Sequence, residues 1–262
     1  MTKKILLLLT LGTIPALPAE DAISTDRPDY TESTGIVPPG NLQLEGGTVW
    51  GVHRLPGGPL TSLASPSPLI RFGLNRRVEL RWGSDGFVSE SRLTTANSDR
   101  HTGTSDMNAG VKVQLWEERR SIPALAIIGA MSFPVGGEFV SSAGRDPLVK
   151  ICWSKTLPRD FDIGGNFNSR WIRTDAVTER AVSLTAGRKV AWGIRIYGEY
   201  YRISPIDGDE AAHAIGNVGI TKLLGPQAQV DIEVGHTLNA RTPSWFVGLG
   251  FAFRLATRPR TT

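Results

Sequence analysis

One cysteine in 262 residues, Cys152, leaves no internal disulfide framework and no thiolate-built zinc site. Histidine is scarce too: His53, His101, His213 and His236 stand alone, none at zinc-ligand spacing from a second ligand on a shared face. The residues two beyond them are Leu55, Gly103, Ile215 and Leu238. No strand therefore carries a same-face His–Ser pair, the arrangement with which some membrane-embedded lipid hydrolases activate a hydroxyl. An excess of charge of one sign is also missing, because 29 Lys and Arg face 25 Asp and Glu. That balance offers nothing to nucleic acid. Past residue 11, no apolar run approaches the roughly 20 residues of a membrane-spanning helix. Disorder is excluded as well, since 40% of the chain is hydrophobic.

Among the residues present, the first nineteen read as an address. Lys3 and Lys4 make a basic start, Ile5 to Leu11 an apolar middle, and Gly12 to Ala19 a stretch broken by Pro15 and Pro18 that ends on a small residue. That order is a secretory signal peptide over residues 1–19, cleaved on export. Its loss removes two of the chain's net positive charges.

From residue 41 onward the apolar period is two. Leu42, Leu44, Trp50 and Val52 share a parity, as do Val78, Leu80 and Trp82, and Val111, Val113 and Leu115. Phe161, Ile163, Phe167 and Trp171 alternate with Asp162, Gly164, Asn166 and Arg170. The same alternation runs through Trp192–Ile196, Val230–Val234 and Trp245–Phe253, and weaker strands are expected near 124–133, 180–187 and 212–222. About twelve strands of about ten residues result. A soluble sandwich would alternate too, but here the polar face carries charges in mid-strand. The apolar face ends in Trp50, Trp82, Trp153, Trp171, Trp192 and Trp245, as interfacial girdles require. Short links at Asn75-Arg76, Glu117–Ser121, Pro158-Arg159, Arg188-Lys189 and Leu224–Pro226 alternate with long ones at 55–67, 84–105, 134–146, 173–179 and 204–211. The pattern defines an all-β, antiparallel up-and-down transmembrane barrel, with short periplasmic turns and longer extracellular loops, over residues 41–255.

Parity then sorts the lumen. Glu45, Arg71, Glu79, Arg81, Lys112, Lys150, Arg170, Arg195, Tyr197, Glu199, Asp231 and Glu233 are the candidate lining residues, with Asp162, Arg254, Tyr201, Phe246 and Trp116 also assigned inward. Their signs nearly cancel, which favours salt bridges across a narrow lumen over the single-sign rings of an ion-selective pore. Gly248-Leu249-Gly250 opens no helix, so it is not a phosphate loop. It reads as small inward residues that leave room in the lumen. Residues 20–40 contain Pro28, Pro38 and Pro39 and are no barrel strand. Asp26, Arg27, Pro28 and Asp29 make this periplasmic segment a candidate plug, with Arg27 expected to reach Glu45 or Glu79. Residues 256–262 form a tail.

Several stretches resemble a known family. They are Ser24-Thr25-Asp26-Arg27-Pro28-Asp29-Tyr30-Thr31-Glu32-Ser33, Val37-Pro38-Pro39-Gly40, Leu42-Gln43-Leu44-Glu45-Gly46-Gly47, and the strand pair Ile70 to Arg81. Asn108 to Lys112, Pro123 to Ala126, Ser132 to Gly136 and the last hairpin, Gln229 to Gly235 with Trp245 to Gly250, complete the match. The family is catalogued as "putative MetA-pathway of phenol degradation", and the resemblance implies an outer-membrane barrel assigned to uptake of small, often aromatic or hydrophobic, compounds. Two departures stand out: the chain runs past Phe253 to Thr262, and its first long link is rich in Pro and Gly. The reading is a channel for passive uptake of small organic solutes in the bacterial outer membrane, with no catalysis, cofactor or metal. Its partners are outer-membrane lipids, the solute and the barrel-assembly machinery. The alternatives are a structural or cell-surface barrel with a blocked lumen and, third, a lipid-modifying enzyme.

Overall fold

The computed structural model describes residues 22–55, 58–93, 98–206, 211–239 and 244–256. The expected signal peptide and nearly all of the C-terminal tail lie outside the described residues. Fifteen strand segments follow one another: β1 (Asn41–Leu55), β2 (Gly58–Pro66), β3 (Leu69–Gly73), β4 (Val78–Ser84), β5 (Gly86–Leu93), β6 (Ser98–Thr104), β7 (Met107–Trp116) and β8 (Ala124–Phe133). They continue as β9 (Pro147–Leu157), β10 (Phe161–Ile172), β11 (Val177–Lys189), β12 (Ile194–Pro205), β13 (His213–Leu223), β14 (Ala228–Thr237) and β15 (Trp245–Ala256). Twelve close a ring in the order β1-β3-β4-β7 through β15, and β15 returns to β1 with Asn41 opposite Ala256 and Val52 opposite Trp245. The all-β, twelve-stranded antiparallel barrel read from the alternation is the fold.

The remaining three segments continue ring strands. β2 lies beyond β3 and pairs with the upper half of β1, β5 lies beyond β4, and β6 precedes β7. The breaks align across the sheet, and serine side chains bridge them. Ser105 Oγ accepts from Asp85 N at 2.8 Å and lies 2.9 Å from Ser84 Oγ, while Ser67 Oγ donates to the Asp85 carbonyl at 3.2 Å. The expected long loops 55–67 and 84–105 are thus mostly strand. Their residues lack a clean apolar stripe because a strand that has left the lipid needs none.

Two further expectations fail locally. A register shift between Gln114 and Trp116 turns Trp116 outward, 40% exposed beside Leu115, so it does not face the lumen. Trp192 is not on a strand. It sits in a single 3-10 turn, Ala191–Gly193, between β11 and β12, at φ 60° and 84% exposed.

Burial is inverted relative to a soluble domain. Phe167, Leu184, Ile196, Val218, Ile232 and Leu249 are exposed on the outer face, whereas the largest fully buried side chains include Arg71, Lys112, Gln43 and Glu79. Charged residues are almost never fully buried unless paired. Such a surface is stable only if lipid covers the outside and partners fill the inside.

Candidate functional site

The interior holds the chain's own N-terminal segment. Ile23 N donates to the Pro226 carbonyl at 2.7 Å in the β13–β14 turn, the chain rises to an apex at Tyr30–Glu32, and it descends to Gly40, which enters β1. Gly40 has φ 72°, a conformation that favours glycine, and its N–H donates to the Gly73 carbonyl at 2.8 Å.

One wall is basic. Arg71 on β3, Arg81 on β4, Lys112 on β7 and Lys150 on β9 converge on this segment. Arg71 uses all of its guanidinium donors: Nε and Nη2 to Glu79 at 2.8 and 2.9 Å, Nη1 to Glu45 and the Ser24 carbonyl at 2.8 and 2.9 Å, and Nη2 to the Gly35 carbonyl at 2.9 Å. The Asp26 carboxylate takes Lys112 Nζ at 2.9 Å, Arg81 Nη1, and the Ser33 N–H and hydroxyl at 2.8 and 2.7 Å, while its own N–H donates to Glu45. Burial pushes the Asp26 carboxyl up, but Arg71, Lys112 and Arg81 outweigh it and hold it well below the usual range. Glu32 lies between Arg81 Nη2 at 2.6 Å and Lys150 Nζ at 2.5 Å.

The opposite wall is acidic. Glu199 on β12 accepts the Tyr30 and Thr31 N–H groups at 3.0 and 2.7 Å and the Asn217 amide at 2.8 Å. Thr31 Oγ1 donates to Ser183 at 2.6 Å, and the Tyr30 ring stacks on Tyr201 with centroids 4.3 Å apart. Arg27 approaches Asp231 on β14 at 3.8 Å and lies over Gly47 and Gly250, where a Cβ would collide with its guanidinium. Glu233 takes the place of a Cβ over Gly248 and faces the Tyr197 hydroxyl at 3.4 Å. Asp29 accepts from Thr185 at 3.2 Å and sits 3.8 Å from Arg195, which also binds Asp162 at 2.7 Å. Pro28 lies in the same run. Arg170 stands apart near the rim that carries the 134–146 connection, bonded to Asp146 at 3.2 Å.

The structure departs from the expected partners of Arg27. Arg71 occupies both Glu45 and Glu79, because β3 lies between β1 and β4 and its side chain reaches each neighbour. Arg27 is left to Asp231. Sequence reasoning also missed Tyr30, Thr31 and Glu32, although they stand in the opening stretch that carried the resemblance. A carboxylate in a segment without apolar periodicity was the available signal. His53 and Ser62 meet across β1 and β2 at 3.2 Å, a pairing invisible to spacing along one strand. Among the described residues no carboxylate pairs with His53, and none of the described His, Cys, Asp and Glu side chains group as a metal site.

Two cavities remain around the apex. One of about 570 Å³ opens below it, bounded by Asp29, Glu32, Trp153, Asp162 and Arg195. The other, about 380 Å³, lies above it under the 134–146 connection, bounded by Glu32, Met107, Met131, Leu148, Lys150 and Arg170. That connection is fastened by Asp106, which accepts from Gly136 N, Ser142 N and the Ser142 hydroxyl at 2.8–3.0 Å.

A closed barrel with an apolar exterior and a polar, cavity-bearing interior is the architecture of an outer-membrane channel. Solved structures agree in fold. An outer membrane channel from Pseudomonas putida F1 is 12% identical, with TM-score 0.60 over 85% of this chain and 98% of that one. The translocator domain of the autotransporter NalP from Neisseria meningitidis is 9% identical at TM-score 0.54, covering 82% and 88%. The KdgM porin, solved in complex with oligogalacturonate, is 10% identical at TM-score 0.51, covering 80% and 98%. No curated protein matches the chain in sequence. The chain belongs to the family described as "Putative MetA-pathway of phenol degradation", whose model matches residues 25–255.

Proposed function

We propose that this protein is a channel of the bacterial outer membrane, delivered there by a cleaved signal peptide and the barrel-assembly machinery, that admits small organic solutes passively and without catalysis. Residues 22–40 act as its resident plug, and the charged and aromatic residues around them line the route. One observation carries the reading: cavities of about 570 and 380 Å³ lie on either side of the plug apex, so open volume reaches it from both ends of the barrel. A barrel serving only as a scaffold needs neither. The family description and the channel-like fold support uptake, and aromatic faces at Tyr30 and Tyr201 suit an apolar solute. In planar bilayers the purified protein should give discrete conductance steps in KCl, and an electrically silent barrel would refute the reading. The density of plug contacts favours a second reading, a closed structural barrel, and a silent bilayer is what it requires.

A further inference from the structure

Glu32 is the only described residue that borders both cavities. Its carboxylate is clamped between Arg81 at 2.6 Å and Lys150 at 2.5 Å. The clamp is asymmetric. Glu32 has two cationic partners, whereas Lys150 pairs with one carboxylate among the described residues and has the Tyr30 ring 5.7 Å away.

Resting on the channel reading, we propose that the Glu32–Lys150 pair is the gate between the two cavities and that a small organic carboxylate opens it. The incoming carboxylate takes Lys150, Glu32 withdraws onto Arg81, and no charge is left alone. A cation entering at Glu32 would instead strand Lys150, and a neutral solute would separate the pair with nothing in exchange. Unpaired charge in a confined interior is costly, so the exchange sets the selectivity.

The lining of the upper cavity fits that ligand. Its carboxylates are largely engaged: Asp106 by three donors from the 134–146 connection, and Asp146 by Arg170 and by the Arg173 N–H at 3.0 Å. Burial raises the Asp85 carboxyl, with the field of Arg170 opposing the shift. Lys150 has two N–H donors beyond its bond to Glu32, and Arg170 has most of its fork. Ala130, Val140 and Leu148 offer apolar surface for the rest of the molecule. The cavity volume lies in the range that holds small ligands.

The test uses the full-length protein in bilayers and liposomes, with benzoate, benzamide and benzylammonium as probes of nearly equal size. Benzoate should cross about tenfold faster than the other two, the advantage of one exchanged charge pair. Lys150→Met should remove that preference, Lys150→Arg should keep it, and Glu32→Gln should raise benzamide flux, with heat-modifiable gel mobility confirming that each variant folds. Equal fluxes, faster benzylammonium, or a preference that survives Lys150→Met would overturn the gate. KCl conductance separates the two failures. Current without benzoate preference sinks the gate alone, whereas no current in KCl sinks the channel reading and the gate with it.

Discussion

Replacing Asp26 by asparagine keeps the shape of the side chain and removes its charge, at the point where the plug meets the basic wall. Asp26 accepts from Lys112, Arg81 and two groups of Ser33, and lies 3.5 Å from Arg71. Lys112, wholly buried, would keep Glu79 at 4.0 Å as its nearest carboxylate among the described residues, with the Gly35 carbonyl at 3.4 Å. Breaking one side of such a buried pair costs about 3–5 kcal/mol. If that cost falls on docking of the plug, the docking equilibrium constant falls by roughly two to three and a half orders of magnitude, since each 1.4 kcal/mol is about tenfold. The expected phenotype is a barrel that still folds, with larger and noisier conductance and with chymotrypsin cleavage after Tyr30. Heat-modifiable mobility reports the barrel, while conductance and cleavage report the plug. Unchanged conductance together with an uncut Tyr30–Thr31 bond would refute the reasoning, because the plug would then be held by something other than this charge cluster.

Three further outcomes are expected. Ile232→Arg places a charge on the lipid face and should lower barrel stability by about 2–4 kcal/mol near the midplane in urea titrations, and an unchanged midpoint would place Ile232 away from lipid. An epitope at Asp99 on β6 should be reachable on intact cells and one at Arg76 in the β3–β4 turn only after permeabilisation, and the reverse would invert the topology. Burial pushes the Asp29 carboxyl from 3.8 up to about 7, with Arg195 opposing the shift and Glu199 adding to it, and Tyr197 and Glu233 also face the group. A raised carboxyl favours the docked plug while it is protonated, so that stability is full below about 3.8 and is lost as pH rises towards about 7. Chymotrypsin, its rate normalised at each pH to that on an unstructured peptide, should therefore cut after Tyr30 more readily at pH 8 than at pH 5. Asp29→Asn should flatten the difference, and a pH dependence that survives this substitution rules Asp29 out as its source.

The ring was legible because lipid on one side and a filled lumen on the other impose one parity on every residue between Asn41 and Ala256. Where either constraint lapses, legibility lapses with it. β2, β5 and β6 extend beyond the lipid and read as loops. The shift at Gln114/Trp116 breaks the parity count and misplaces Trp116. Trp192 carries the composition of a girdle residue but sits in a turn that no alternation describes. The inward charges were readable as an inventory, yet their partners were not. The plug meets the wall across separations such as the 169 residues between Tyr30 and Glu199, and parity says which face a residue occupies, not which strand stands opposite.

The lumen has a polarity that neither the barrel nor the plug carries alone. Arg71, Arg81, Lys112 and Lys150 on β3, β4, β7 and β9 outnumber the wall carboxylates beside them, Glu45 and Glu79, and Asp26 and Glu32 of the plug bring that side into balance. Across the barrel the excess is acidic, at Glu199, Asp231 and Glu233, and there the plug presents Arg27 and the N–H groups of Tyr30 and Thr31, with its own Asp29 set 3.8 Å from Arg195. The segment is therefore a strip of two signs, matched to two walls of opposite sign. A neutral linker would leave both walls uncompensated in a confined interior, where unpaired charge is costly. Because the compensation is local to a few side chains, a solute that supplies the same charge at one point can take the plug's place there without displacing the rest. The order of charges from Asp26 to Glu32 thus serves both to seat the plug and to select what passes it.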